Sequence, residues 1–327
     1  MKINKIIFIV LCFATSFYAQ TTKFETLENI RIRDAFILTD EKTKTYNMVS
    51  AGYTADRIPI LNVYKSKDLV NWEAPQIIFQ TPKDIWKDAN IIGIWAPEMH
   101  FYKGKYYLFM TFNTDTKFSE QWRDWVPRVK RGSQILVGDS ILGPFKPFQN
   151  QSTLPVDMMT LDGTLWVEDG VPYMVFAHEW VQIKDGTIEF VKLKDDLSQT
   201  DGEPTRLFNG SDAVWSRKSP QYNCWVTDGP YLYKSKSGKL FMLWSSFSNT
   251  GYTTGIAISD SGKLAGPWRQ QAEPVFSKDG GHSMLFKRFD GQLMMILHSP
   301  NKLVERAKLL EMEDTGETLR IKTPFVK

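Results

Sequence analysis

Lys103–Phe112 reads KGKYYLFMTF, a turn around glycine followed by an apolar run in which aromatic and aliphatic residues alternate. That combination is a hairpin signal. The pattern recurs at Thr43–Ser50 (TKTYNMVS), Asp169–His178 (DGVPYMVFAH), Ser237–Ser246 (SGKLFMLWSS) and Asp290–Ser299 (DGQLMMILHS). Aligned on the turn, Tyr46, Tyr107, Tyr173, Phe241 and Met294 fall in register, at intervals of 61, 66, 68 and 53 residues. Behind three of these hairpins lies a second shared ending, in Ser66–Trp72 (SKDLVNW), Asp139–Phe145 (DSILGPF) and Asp260–Trp268 (DSGKLAGPW). About four strands per unit of roughly 60 residues, five times over, predicts an all-β chain folded as a single five-bladed β-propeller. No long stretch carries helical periodicity, and no linker or second domain is expected.

Composition agrees with that architecture. Hydrophobic residues make up 42% and charged residues 24% of the 327, enough apolar surface for a core and too little charge for a disordered chain. The net charge is only +3, with no clustered basic face, so nucleic acid is excluded as a partner. Aromatic residues at 13% suit packed sheet faces and stacking on sugar rings.

The first 20 residues read as a secretory signal peptide. Lys2 and Lys5 form a charged start, Ile6–Phe13 an apolar run too short to span a membrane, and Ala14–Gln20 a small and polar end. Residues 21–327 are then the propeller, secreted or periplasmic and free of membrane after signal removal. With Cys12 removed, Cys224 is the only cysteine, so the mature chain has no internal disulfide.

The turn alignment also locates a site. Asp34 stands twelve residues before Tyr46, Asp162 eleven before Tyr173, Asp228 thirteen before Phe241 and His282 twelve before Met294. The matching stretch of the second unit is Trp95–Phe101, WAPEMHF. Equivalent positions of successive blades surround one central channel, so these side chains are expected to converge. Aspartate is a poor strand former, and carboxylates crowded at one channel repel each other, which favours a functional reading over turn-capping aspartates. Converging carboxylates in an exported, aromatic-rich chain point to glycoside hydrolysis, in which one activates water and another protonates the leaving oxygen.

Around these residues the chain resembles glycoside hydrolase family 43, from about Arg31 to Glu313. The resemblance rests on RDAFIL, WAPEMHFYKGKYYLF, LDGTLWVEDGVPYMVF, DGPYLYKSKSGKLFMLW and GGHSMLFKRFDGQLMM, in that order. It implies an inverting hydrolase acting on α-L-arabinofuranosides or β-D-xylosides of plant-type polysaccharide, a monomer with a carbohydrate substrate. Asp34 matches the family's general base and Asp162 its third, tuning carboxylate. Asp228 falls at the general acid, where the family usually carries Glu in a Glu-Gly-Pro motif. His282 matches a histidine near the axis, often beside a structural calcium ion, although no cofactor is required for the chemistry. Arg306 resembles an arginine of the last blade that contacts the sugar.

Glu179 in AHEW, beside Trp180, is the reserve acid or a substrate-binding group. Glu98 is expected at the channel, with a substrate-hydroxyl or structural role. Trp95 and Trp180 are candidate stacking platforms for a sugar ring. Of the remaining histidines, His298 has the best case for the site, ahead of His178 and His100. The stretch Arg128–Arg131 (RVKR) reads as solvated loop, within a longer segment, Lys117–Gly132, expected to wall the active face. The alternatives are a non-catalytic carbohydrate-binding propeller, or a related hydrolase acting on galactofuranose or anhydrosugar linkages.

Overall fold

The computed structural model describes residues 23–302 and 304–325. The segment read as a signal peptide lies outside the described residues. Five antiparallel sheets follow one another along the chain, four of four strands and a first of six. Their first strands are Phe36–Asp40, Ile91–Tyr102, Thr160–Glu168, Asp228–Lys234 and Gly281–Lys287. Each of these packs on the next, and the fifth packs back on the first, closing a ring. The expected five-bladed propeller is therefore the fold. The first blade is larger than expected, because Phe24–Glu25 and Gln76–Gln80 add to its outer edge.

The apolar runs of the repeat are the second strands, Thr45–Tyr53, Lys105–Thr114, Val171–His178, Leu240–Ser248 and Leu293–Ser299. Each is buried on both faces, which is why it reads as nearly continuous hydrophobic sequence rather than as strict alternation. Side chains of one strand alternate between two neighbours. Phe241 and Leu243 pack toward the fifth blade with Met295 and Leu297, whereas Met242 and Trp244 pack toward the third with Val175 and Ala177. The core is thus five separate seams between blades. Burying each large side chain of a seam contributes roughly 1.5–3 kcal/mol. The seam between the last and first blades, with Met48, Ile37, Met294 and Ile296, closes the ring. The recurring SKDLVNW and LAGPW endings turn the chain into the short outer strands Trp72–Glu73 and Trp268–Gln270.

The inner strands share a second feature. Asp34, Ala96, Asp162, Gly229 and His282 occupy the same position in successive blades, and all have positive φ, between 42° and 57°. In blades two to five the pairing register slips at this point, as a β-bulge. Bulges turn a side chain out of the ladder and are concentrated beside active sites. Aspartate is among the residues that tolerate this backbone best, which explains a poor strand former at the start of an inner strand.

Candidate active site

Above the bulges lies a cavity of about 670 Å³, lined by Asp34, Asp162 and Asp228 together with Trp95, Glu179, Trp180, Tyr252 and His282. The three aspartates from blades one, three and four thus meet around one axial opening. Asp228 departs from the offset rule in an informative way. The equivalent bulge position of blade four is Gly229, φ 53°, where a Cβ would come within 2.9 Å of the His282 ring. The histidine occupies that space, so the carboxylate of this blade stands one residue earlier. The Gly229 amide is used as well, donating to Asp162 Oδ2 at 2.9 Å.

The surroundings of the three carboxylates differ. Burial would raise the Asp34 carboxyl, but His282, Arg33 and His298 outweigh it and hold it well below the usual carboxylate range. His282 Nδ1 lies 3.3 Å and His298 Nδ1 3.1 Å from Asp34 Oδ1, and Arg33 Nε lies 3.5 Å from Oδ2. Burial pulls His282 toward neutral imidazole, with the charge of Asp34 opposing it. The permanently charged Arg33 keeps Asp34 ionised in either case. Asp228 is pushed up to about 6, chiefly by burial, although the Tyr252 hydroxyl and Arg33 act against the rise. That hydroxyl donates to Asp228 Oδ2 at 2.8 Å. Asp162 is also raised well above its ordinary value, by burial and by the charges of Asp228 and Asp34. The cavity therefore sets one carboxyl held below the usual range beside two pushed above it, the kind of contrast that can divide base from acid.

The other expected residues separate into three groups. Trp95, with 36% of its surface exposed, and Trp180, stacked on Tyr222 at 4.9 Å, line the cavity. Glu179 lines it too, N-terminal to the single-turn helix Trp180–Ile183 and ion-paired to Arg131. Burial raises its carboxyl against the pull of that guanidinium. His298 is fully buried behind Asp34, with Nε2 3.1 Å from Asn301 Oδ1, and orients the aspartate rather than meeting a ligand. Glu98 lies lower in the channel, beside a small void under Asp34, and is engaged by His100 Nε2 at 2.7 Å. His178 faces Glu189 and Gln182, a structural pairing.

Arg306 lies outside the cavity lining, where its Nε donates to the Glu28 carbonyl at 2.7 Å. The arginine beside the carboxylates is Arg33, held by Asn301 Oδ1 at 2.7 Å and by Glu305. Its position next to Asp34 in RDAFIL was the available signal. Tyr252 comes from a third strand and has no counterpart in the repeat. The reading of Arg128–Arg131 as solvated loop is corrected, since the side chains of Arg128 and Arg131 are each only 11% exposed. The segment around them contributes no residue to the lining of this cavity, contrary to the expected wall, and instead backs Trp180 from outside. Val129 forms a small core with Met159 and Val181, against which Phe118, Val126 and Trp180 pack. Among the described residues no group of three or more His, Cys, Asp or Glu side chains is placed to hold a metal ion.

Known proteins resemble this chain over most of its length. The crystal structure of an endo-arabinase from Bacteroides thetaiotaomicron is 37% identical, with a TM-score of 0.75 over 92% of this chain and 96% of that one. An extracellular exo-α-(1→5)-L-arabinofuranosidase of Streptomyces avermitilis is 26% identical across 65% of this chain. A β-xylosidase of Bacillus subtilis is 25% identical across 66%. The matched regions span 44% and 37% of those two relatives. The profile of glycosyl hydrolases family 43 matches residues 16–323. Blades, bulges and carboxylates thus agree with the sequence comparisons, and the chain belongs to glycosyl hydrolases family 43.

Proposed function

We propose that this protein is an exported glycosidase that hydrolyses α-L-arabinofuranosidic or β-D-xylosidic bonds of plant-type polysaccharide or oligosaccharide by inverting single displacement. The observation that carries the reading is the pair Asp34 and Asp228, which share one cavity and whose surroundings drive their acidities in opposite directions. Asp34 accepts a proton from water as the water oxygen attacks the anomeric carbon. Asp228 gives its proton to the glycosidic oxygen as the C–O bond breaks. Asp162, close to both, keeps the proton on the acid side until the bond is cleaved. Proton transfer between carboxylates and water is sufficient, and no cofactor enters the scheme. Arabinose-containing substrate is favoured by the names of the endo-arabinase and arabinofuranosidase relatives. Export is supported by the apolar N-terminal run and by the extracellular relative.

A binding propeller without turnover would need an acid that no longer holds its proton. Asp228, raised to about 6, speaks for the enzyme. The test is a panel of aryl arabinofuranosides, aryl xylosides and arabino-oligosaccharides, with the first-formed sugar anomer followed by proton NMR. Release of the opposite anomer from an arabinoside or xyloside is expected. Binding without release would establish the non-catalytic propeller, and a retained anomer would reject single displacement.

A further inference from the structure

Arg131 does not line the cavity, yet it holds two residues that do. Its guanidinium is ion-paired to Glu179, its Nε donates to Asn113 Oδ1 at 2.9 Å, and its carbon centre lies 4.3 Å from the centroid of the Trp95 ring. Glu179 and Trp95 reach the cavity from different blades, so one side chain fixes a carboxylate and an aromatic plane relative to each other.

The Glu179 carboxylate is only half used. Oε1 takes the guanidinium, whereas Oε2 is buried and has no hydrogen-bond partner among the described residues. Glu179 as a whole is 2% exposed. A buried carboxylate oxygen without a donor is costly, and a ligand rich in hydroxyls relieves that cost on entering. The C–H face of the same ligand can lie on an indole. Asn113 takes the Nε–H and the guanidinium lies over the Trp95 ring, which leaves it little freedom to turn away from Glu179.

We propose that Arg131 is a positioning residue for sugar recognition, holding Glu179 so that its free oxygen accepts a hydroxyl of the bound sugar and bracing Trp95 as the platform for the ring. This rests on the glycosidase reading above and adds how the cavity recognises its sugar. The ligand class is a neutral pentose unit with an unsubstituted hydroxyl at the Glu179 side. A site built to bond a hydroxyl rejects the analogue lacking it far more strongly than an apolar pocket rejects a missing methylene.

The experiment compares an aryl α-L-arabinofuranoside with its 2-, 3- and 5-deoxy analogues. The wild-type protein is expected to prefer the parent over one of them by about 10²-fold or more in kcat/KM. In Arg131→Met and Glu179→Gln that preference should fall to within about tenfold, with Arg131→Lys recovering part of it. The losses should be equal for good and poor leaving groups. An undiminished preference in Arg131→Met, or in Arg131→Lys should the former not fold, would overturn the proposal. So would a Glu179→Gln loss that disappears with a good leaving group, since Glu179 would then be the acid. If the wild-type protein hydrolyses none of the glycosides, the reading of the reaction fails. The same preferences are then measured as calorimetric binding affinities, with the same supporting and overturning results.

Discussion

The two sides of the axial cavity carry the same residue type in opposite surroundings. On one side Asp34 faces Arg33, His282 and His298, whose nitrogens approach its carboxylate within 3.5 Å. On the other, Asp228 has a tyrosine hydroxyl for its principal partner, and burial dominates. The aspartates start from a common intrinsic acidity. In the proposed mechanism, what separates a water-activating base from a proton donor is the neighbours each side supplies, as in other carboxylate pairs. Burial thus raises the carboxyl of an ordinary aspartate, the shift that the proposed acid role requires.

Removing each member breaks the comparison most directly. Asp34→Asn is expected to lower kcat on the order of 10³-fold for every substrate, because no leaving group replaces the base. Steady-state kinetics with an aryl arabinofuranoside and a natural oligosaccharide would measure it, with circular dichroism to confirm an intact fold. Asp228→Asn should cost about 10²–10⁴-fold on the oligosaccharide but tenfold or less on an aryl glycoside whose leaving group needs no proton. Equal losses on both substrates would remove Asp228 from the acid role.

A smaller change sharpens the contrast. Asp228 acts in its protonated form, so kcat/KM should be full below about pH 6 and decline as the pH rises through that value. Asp34, held below the usual carboxylate range, remains the ionised base well into acid. Tyr252→Phe removes a donor that stabilises the Asp228 carboxylate, so the alkaline limb should move to higher pH while the plateau changes by less than about tenfold. A limb that stays in place would show that the hydroxyl does not govern this proton.

Legibility in the sequence followed whether a residue takes part in the repeat. The five blades were readable because each second strand is buried on both faces and so repeats as an apolar run behind a turn. Asp34, Asp162 and His282 were readable because they share the bulge position of successive blades. Asp228 was found one place early, and the irregular offset is the trace of a glycine forced by the His282 ring. Tyr252 and Arg131 belong to third strands or their approaches, where nothing repeats, and their partners lie 24 and 48 residues away. A basic stretch such as RVKR resembles solvated loop until its partners are placed. Arg306 illustrates the reverse error, a local match whose side chain satisfies carbonyl groups outside the cavity.

The amino-acid order alone determined the number of blades, their boundaries and the three aspartates at the axis, because hydrophobic periodicity and turn chemistry are local and repeated five times. Packing alone decided which aspartates are pushed up and which is held down, which arginine reaches the cavity and which glutamate oxygen is left free. Those outcomes depend on desolvation and on charges brought within a few ångströms from distant blades, and such proximity exists only once the ring has closed.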